Sequence, residues 1–167
     1  MFREIKAEEI RDNVFTQIGK DWTLIAAEKG GKTNAMTASW GGLGVLFNKN
    51  VVFIFVRKSR FTRKFIDAAS TFSLNFPSPE KYRDKMVYFG RVSGRTEDKI
   101  EKSGFTVIKD SAPYFEEADR VLICRKLTKH YLSPEGLLDP KLLGDFYQNN
   151  DFHYLYVGEI VKCLEKV

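Results

Sequence analysis

Apolar and polar positions along this chain fall into short runs that are typical of β-strands. Val51–Val56 holds six consecutive apolar residues and predicts a buried strand, whereas Thr71–Phe76 alternates between apolar and polar positions. The pair Gly30 and Gly31 is suited to turn a hairpin between the first two strands. The predicted strands are Trp22–Lys29, Ala35–Trp40, Val51–Val56, Thr71–Phe76, Val121–Leu127 and Tyr154–Cys163.

Three short helices are predicted between these strands. Ser78 is the expected N-cap of the second helix and Thr96 that of the third, which Gly104 ends. The polar stretch Leu132–Asp151 predicts either a surface excursion or a lid. Short strands joined by a few helices favour a mainly β (α+β) fold, a β-barrel with short helical insertions. The helices are predicted over Phe61–Ala69, Pro79–Gly90 and about Glu97–Ser103.

The composition fits one domain that spans residues 1–167. The chain is 43% hydrophobic and contains 14 phenylalanines, so a sizeable aromatic core or an oligomer interface is expected. Cys124 and Cys163 lie singly in apolar runs and are expected to be buried and reduced. The first residues are charged and no apolar run approaches roughly 18 residues. We therefore expect neither a signal peptide nor a membrane span, and a cytoplasmic location.

The densest positive charge lies directly after the third predicted strand. Net charge is +5, and the stretch RKSRFTRK, residues 57–64, holds five cations with Ser59 and Thr62 between them. Arg57 ends the buried strand, and arginine presents a planar set of donors that suits phosphate oxygens. A helix starting near Phe61 would point backbone N–H groups to the same place. The stretch predicts a phosphate-binding turn or a solvated, positive helix face, and these residues alone favour neither.

The second candidate is NAMTASWGG, residues 34–42. Its small residues leave the backbone open to close approach by a flat ligand. Asn34, Thr37 and Ser39 can serve the polar edge of such a ligand, and Trp40 can form a wall. A tight barrel corner, where small residues simply fit, is the alternative, and the stretch taken alone favours that alternative.

The third candidate is RVSGRTEDK, residues 91–99. Ser93, Gly94 and Arg95 form a turn that leads into the third predicted helix. Arg95 and Lys99 can meet a second anionic group of a ligand. A helix cap with surface charges explains the same residues equally well.

Other familiar sites are not indicated by the sequence. The glycines of GGLG, residues 41–44, precede a strand and lack the third glycine of a dinucleotide-binding fingerprint. His130 and His153 have no metal-ligand spacing with cysteine, so no metal site is expected. No nucleophile elbow of the form G-x-S-x-G occurs.

Five motifs taken together resemble one family. In chain order they are N-x-MTASW-GG, R-x-SR-x-T, FSLNF, SGR-x-x-DK and H-x-x-Y-x-GEI. This order resembles the flavin reductase-like proteins with an FMN-binding split barrel, and the flavoredoxin-like branch most closely. The resemblance spans about Asp21 to Lys162. Such proteins often carry prolines where this chain has Asn50 and Lys58, which puts the stiffness of the basic turn in doubt.

The resemblance implies a six-stranded antiparallel split β-barrel that forms a homodimer, with one FMN per subunit near the interface. His153 is implied to lie on the nicotinamide side of the flavin and is the candidate catalytic residue. Ser93, Gly94, Arg95 and Lys99 are implied to lie at the cofactor. Residues implied to line the ring and ribityl parts are Met36, Thr37, Ala38, Ser39 and Trp40, with Asn34 beside them, and those implied to hold the phosphate are Arg57, Ser59, Arg60 and Thr62.

The implied activity is that of an FMN-dependent oxidoreductase, which takes a hydride from NADH or NADPH and passes electrons to a flavin or another acceptor. Such chemistry is supplied by the cofactor, so the lack of a catalytic dyad is no obstacle. The alternative is a flavoredoxin-like electron carrier that is reduced by a partner protein. A nucleic-acid-binding barrel is disfavoured because acidic residues are spread through most of the chain outside the basic stretch. No nucleic acid or membrane partner is expected.

Overall fold

A computed structural model describes residues 1–167, which are mainly β-strand with short helices between them. None of its helices has the length and apolar character that crossing a membrane requires. The strands are β1 Phe2–Ile5, β2 Thr23–Lys29, β3 Lys32–Ala38, β4 Gly41–Leu46, β5 Lys49–Arg57, β6 Thr71–Pro77, β7 Val107–Ile108, β8 Tyr114–Phe115, β9 Ala118–Tyr131 and β10 His153–Lys166. The helices are α1 Val14–Thr16, α2 Arg63–Ala68, α3 Pro79–Arg91, α4 Lys99–Ser103 and α5 Lys141–Phe146.

One antiparallel sheet contains eight of the strands. Its order is β3-β2-β6-β9-β10-β5-β4, and β1 pairs with the last part of β10. β7 and β8 form a separate ribbon. The predicted mainly β fold is confirmed, and all six predicted strands are present. The sheet has two strands that were not predicted, β1 and β4. β1 is short and highly charged and β4 is rich in glycine, so neither carries a strong strand pattern in the sequence.

The sheet curls around one apolar core. Met36 of β3 packs in the same buried cluster as Val52 and Ile54 of β5, although β3 and β5 stand five places apart in the strand order. Phe72 and Tyr156 fill the middle of this cluster and are fully buried. A second cluster lies on the other side of β2, where the side chains that alternate outward meet α3. β2 is therefore buried on both faces.

Several element ends differ from the sequence prediction. β2 begins at Thr23 because Trp22 has a φ of 72°, outside the extended region. β3 ends at Ala38, so Ser39 and Trp40 form the link to β4 instead of continuing the strand. Helix α2 begins at Arg63, two residues later than predicted.

The helix caps agree with expectation only in part. Asp98, and not Thr96, caps α4, because its carboxylate accepts from the backbone N–H groups of Ile100 and Glu101 at 3.0 and 3.1 Å. Ser78 does precede α3, but its hydroxyl donates to Glu80 and makes no cap bond to the backbone. Gly104 ends α4 with a φ of 73°, as predicted.

The two cysteines are free and buried, as predicted.

Residues 132–151 cross the surface between β9 and β10 and include a 3₁₀ turn and the short helix α5. We call this segment the excursion.

Gly158 tests the packing of the curled sheet. A methyl group at this position would lie 2.6 Å from Phe72 Cζ and 3.0 Å from Cys124 Cβ, both in the buried core. We expect Gly158→Ala to lower the free energy of unfolding by about 1–3 kcal/mol through overpacking. Urea unfolding followed by fluorescence measures this change.

Gly144→Ala is the matched control, since nothing lies within 4 Å of a Cβ there and the residue is helical. We expect it to be neutral or to stabilise by up to about 1 kcal/mol. Equal effects of the two substitutions would contradict the packing described for β10.

Candidate functional site

Two cavities meet where β3, β5 and β10 end or begin. The strand cavity, of about 210 Å³, lies between the strand ends. The turn cavity, of about 300 Å³, lies under the basic turn after β5 and the turn after α3. Both cavities are lined by Met36 and Arg60, so they adjoin each other. Apart from these two residues, the strand cavity is lined by Thr37, Ala38, Ser39, Trp40, Phe55, Arg57 and His153, and the turn cavity by Ser59, Phe61, Thr62, Arg91, Val92, Ser93, Gly94, Arg95 and Lys99.

The fold brings nearly all the predicted site residues to these cavities. Of them, only Asn34 lines neither. Asn34 is buried behind the turn cavity, where its Nδ2 donates to Thr62 Oγ1 at 2.8 Å. A Cβ on Gly94 would lie 2.5 Å from Asn34 Oδ1, so the turn needs glycine to close over this amide. Asn34 supports the turn cavity instead of facing the strand cavity with the rest of NAMTASWGG.

Arg60 stands at the junction of the two cavities. Its Nη1 donates to the Gly90 carbonyl at 2.6 Å and its Nη2 to the Thr37 carbonyl at 3.4 Å. The pKa of Arg60 is lowered by burial and by the nearby Arg57, yet arginine stays protonated at any ordinary pH. A fixed positive charge therefore lies between the thin end of β3 and the basic turn.

The turn cavity is rich in donors. Lys99 is buried, and its Nζ donates to the Phe89 carbonyl at 2.9 Å, which leaves further N–H groups without a protein acceptor. Burial, followed by the charge of Arg60, lowers the pKa of Lys99 to about 8. The Thr62 hydroxyl accepts from Asn34, so its own proton is free to be donated. Arg95 lies over Phe61 at 5.1 Å and adds another cation.

Two predicted phosphate donors are engaged elsewhere. The Arg57 guanidinium donates to the carbonyls of Asp151 at 2.7 Å and Phe146 at 3.2 Å, and it lines the strand cavity. The backbone N–H and hydroxyl of Ser59 donate to the Asp151 carboxylate at 3.0 and 2.6 Å. Both residues thus tie the excursion to the basic turn, and Ser59 also lines the turn cavity together with Arg60 and Thr62.

The glycines of NAMTASWGG have a structural explanation. Gly41 has a φ of 154°, and a Cβ there would lie 2.6 Å from the Phe53 carbonyl oxygen, so glycine is needed for β4 to approach β5.

The Thr37 hydroxyl donates to the Met86 carbonyl and is turned toward α3. Ser39 lines the strand cavity with no hydrogen-bond partner in the protein.

His153 forms one wall of the strand cavity. Its ring lies 5.0 Å from that of Trp40, and its Nδ1 is 2.8 Å from the Tyr147 hydroxyl. Burial, followed by the charge of Arg57, lowers the pKa of His153 to about 4. At neutral pH the imidazole of the free protein is therefore uncharged.

Sequence reasoning missed several residues of the site. Phe55 lies two positions before Arg57 on the same face of β5, so strand alternation is a signal that points to it. Phe146, Tyr147 and Asp151 contact site residues from the excursion. No local pattern marks these three, because their partners lie far away in the sequence.

A larger cavity of about 480 Å³ lies elsewhere, near α1 and the end of β10. It contains none of the predicted site residues, and its most buried charge, Arg120, is already paired with Asp12 and with Glu165. A large volume is not by itself evidence of a functional site, so the two joined cavities remain the candidate site.

Residues 15–166 match the family model of the flavin reductase like domain. Because this match covers most of the chain, the protein belongs to the flavin reductase-like family, as its motifs predicted. No curated protein is significantly similar to it in sequence.

Solved structures share the fold. An FMN-binding domain of a flavin reductase-like enzyme from Shewanella baltica OS155 is 15% identical, with a TM-score of 0.71 over 99% of this chain and 77% of that one. Flavoredoxin from Methanosarcina acetivorans is 29% identical, with a TM-score of 0.68 over 97% and 76%. The NADH:FAD oxidoreductase of Streptomyces globisporus, in complex with NAD and FAD fragments, is 16% identical, with a TM-score of 0.64 over 87% and 74%.

Proposed function

We propose that the two cavities hold a single FMN, with its phosphate in the turn cavity and its ring system in the strand cavity. The observation that carries this proposal is that one pair of residues, Met36 and Arg60, lines both spaces. The turn cavity carries most of the cations and donors, and the strand cavity carries the rings of Trp40 and Phe55 beside the guanidinium of Arg57. This polarity matches a flat, aromatic ligand with an anionic tail.

The residues of the turn cavity fit a phosphate. Lys99 has N–H groups to spare, the Thr62 hydroxyl has a free proton, and Arg60 carries a permanent charge. Charge-assisted bonds of this kind are the strong ones for phosphate oxygens. The phosphate role of Arg60 and Thr62 is thus supported, whereas Arg57 and Ser59 would act through the excursion.

We propose that the protein is an FMN-dependent oxidoreductase that accepts a hydride from NADH or NADPH and passes electrons to a flavin or another acceptor. FMN would supply this redox chemistry when bound. The chain contributes anchoring through Arg60, Thr62 and Lys99, a thin backbone at Ala38 that allows close approach, and an uncharged His153 beside the ring. The relative from Streptomyces globisporus, solved with NAD and FAD fragments, supports a nicotinamide reductant.

The second candidate is an electron carrier that is reduced by a partner protein. Flavoredoxin from Methanosarcina acetivorans has the highest identity among the three relatives described, which favours this alternative. Trp40, at the rim of the strand cavity, is 39% exposed and gives such a partner an aromatic contact. Nucleic-acid binding, which the sequence disfavours, gains no support from the basic turn, since Arg57 and Arg60 turn inward to bind carbonyls.

The visible spectrum of the protein tests both candidates. We expect the purified protein to bind FMN and its flavin band to bleach with NADH or NADPH in the absence of oxygen. Bleaching only with a protein donor would favour the carrier. A protein that stays colourless after incubation with FMN would exclude both.

A matched pair of variants from the basic turn sharpens this test. Arg60→Met should weaken FMN binding about tenfold or more, because a charge-assisted hydrogen bond is worth about 1.5–3 kcal/mol. Arg63→Met should not, because Arg63 pairs with Asp67 outside both cavities.

Lys99 predicts a pH dependence of FMN affinity. Since its pKa is about 8 in the free protein, Lys99 loses its charge above that pH, and a phosphate dianion then loses a partner. We expect FMN affinity to be level from pH 7 to about 8 and to fall above it, by up to about tenfold per pH unit. Fluorescence titrations with FMN measure this fall.

Riboflavin, which has no phosphate, should show no such fall. Lys99→Met should bind FMN more weakly and without this pH dependence. Lys102→Met, on the exposed face of the same helix, should behave as the wild type does. A wild-type profile in Lys99→Met would refute the role of Lys99.

We also propose that the protein forms a homodimer through the edge strand β4. Val45 and Phe47 at this edge are 72% and 65% exposed, and exposed apolar side chains at an unpaired strand edge invite pairing with another chain. Val45→Lys should then weaken the dimer, whereas Val161→Lys, on β10, should not. Sedimentation equilibrium measures both, and a monomeric wild type at micromolar concentration would contradict the proposal.

A further inference from the structure

The excursion places a buried tyrosine directly behind His153. Tyr147 is 6% exposed, its ring stacks on Phe152 at 4.6 Å, and its backbone N–H donates to the Leu143 carbonyl at the end of α5. Its hydroxyl lies 2.8 Å from His153 Nδ1. Tyr147 does not line the strand cavity, whereas His153 does, so the tyrosine contacts the histidine from the protein side.

The partners of the two groups determine the direction of this hydrogen bond. The Tyr147 hydroxyl has no other partner in the structure. If His153 donated from Nδ1, the phenolic proton would be buried without an acceptor, which is costly. A neutral imidazole carries one proton, on one nitrogen only. Tyr147 therefore donates to Nδ1, and the imidazole proton lies on Nε2.

The other ring nitrogen is available to a ligand. His153 Nε2 has no hydrogen-bond partner in the protein. The buried side-chain atoms that are sealed from solvent without a partner are the Tyr88 hydroxyl and Arg120 Nε, and His153 Nε2 is not one of them. Since Nδ1 faces Tyr147, Nε2 is the nitrogen that the strand cavity can reach.

The surroundings keep His153 in place and uncharged. Trp40 and the edge of Phe55 contact its ring. The charged groups that face it are Arg57 on the neighbouring strand, Arg60 at the junction of the cavities and Asp151 in the excursion. Burial and the two arginines disfavour a positive charge on the imidazole ring, whereas Asp151 favours it. Burial and the arginines together have the larger effect, so the ring stays neutral.

We propose that Tyr147 is a positioning residue, which fixes His153 as the Nε2–H tautomer so that the strand cavity presents a single neutral hydrogen-bond donor. Such a donor selects a carbonyl-type acceptor on the ligand, of the kind found on a flavin ring or a nicotinamide carboxamide. This meaning for the reaction rests on the proposed function, whereas the tautomer itself does not.

The tautomer is measurable without any flavin. The chain has two histidines, His130 and His153, so ring-labelled protein gives two sets of imidazole signals, and His130→Gln assigns them. Nitrogen shifts distinguish the two neutral tautomers and the charged ring. We expect His153 to stay neutral with its proton on Nε2 from pH 5 to pH 8. A proton on Nδ1, or a midpoint near the ordinary histidine value of about 6.5, would overturn the proposal.

Tyr147→Phe removes the hydroxyl and keeps the ring that stacks on Phe152. We expect the His153 signals of this variant to report a mixture of both tautomers. Tyr131→Phe is the control, because Tyr131 also contacts Phe152 but its hydroxyl has no partner and the residue is exposed. Unchanged His153 signals in Tyr147→Phe would refute the positioning role.

With FMN bound, Tyr147→Phe should slow reduction by NADH or NADPH about threefold to tenfold, as expected for one lost orienting bond. A fixed tautomer in a protein that binds no flavin would overturn the proposed function and leave the positioning role standing. Flavin binding by a protein in which His153 exchanges between both tautomers would overturn the positioning role and leave the proposed function standing.

Discussion

The antiparallel register between β5 and β10 is the constraint on which the site depends. It places His153, the first residue of β10, opposite Arg57, the last residue of β5. A slip of one residue would exchange the two faces of β10 and turn the histidine away from the cavity. Farther along β10, Tyr156 is buried in the core and its hydroxyl donates to Asp67, so packing and a hydrogen bond both oppose such a slip.

Much of this arrangement follows from local patterns. The apolar run Val51–Val56 predicted a strand that leads straight into the basic turn, and the structure places Arg60 and Thr62 of that turn at one cavity. Ser39 and Trp40 were expected at a thin segment and lie at the adjoining cavity. Strand alternation and turn composition are properties of neighbouring residues, and for this reason the sequence reveals them.

Interactions between distant residues explain what the sequence did not reveal. Asn34 was expected to face a ligand, but the bend that brings Gly94 over it makes it an internal support. Ser59 and Asp151 are 92 residues apart, so nothing near either predicts their contact. Asp98 caps α4, where Thr96 was predicted. Both residues lie near the start of the helix and both side chains can cap it, and the path of the backbone determines which one does.

The contact between Asp151 and Ser59 has a consequence for engineering. One turn carries both Arg60, which lines the candidate site, and Ser59, which binds the excursion. A change in the excursion therefore acts on the same turn that positions Arg60. Residues 132–151 are then a poor place to graft a tag or to trim the chain, even though most of them are on the surface. Exposed loop tips usually tolerate such changes, but here the change would also disturb the basic turn that Asp151 binds.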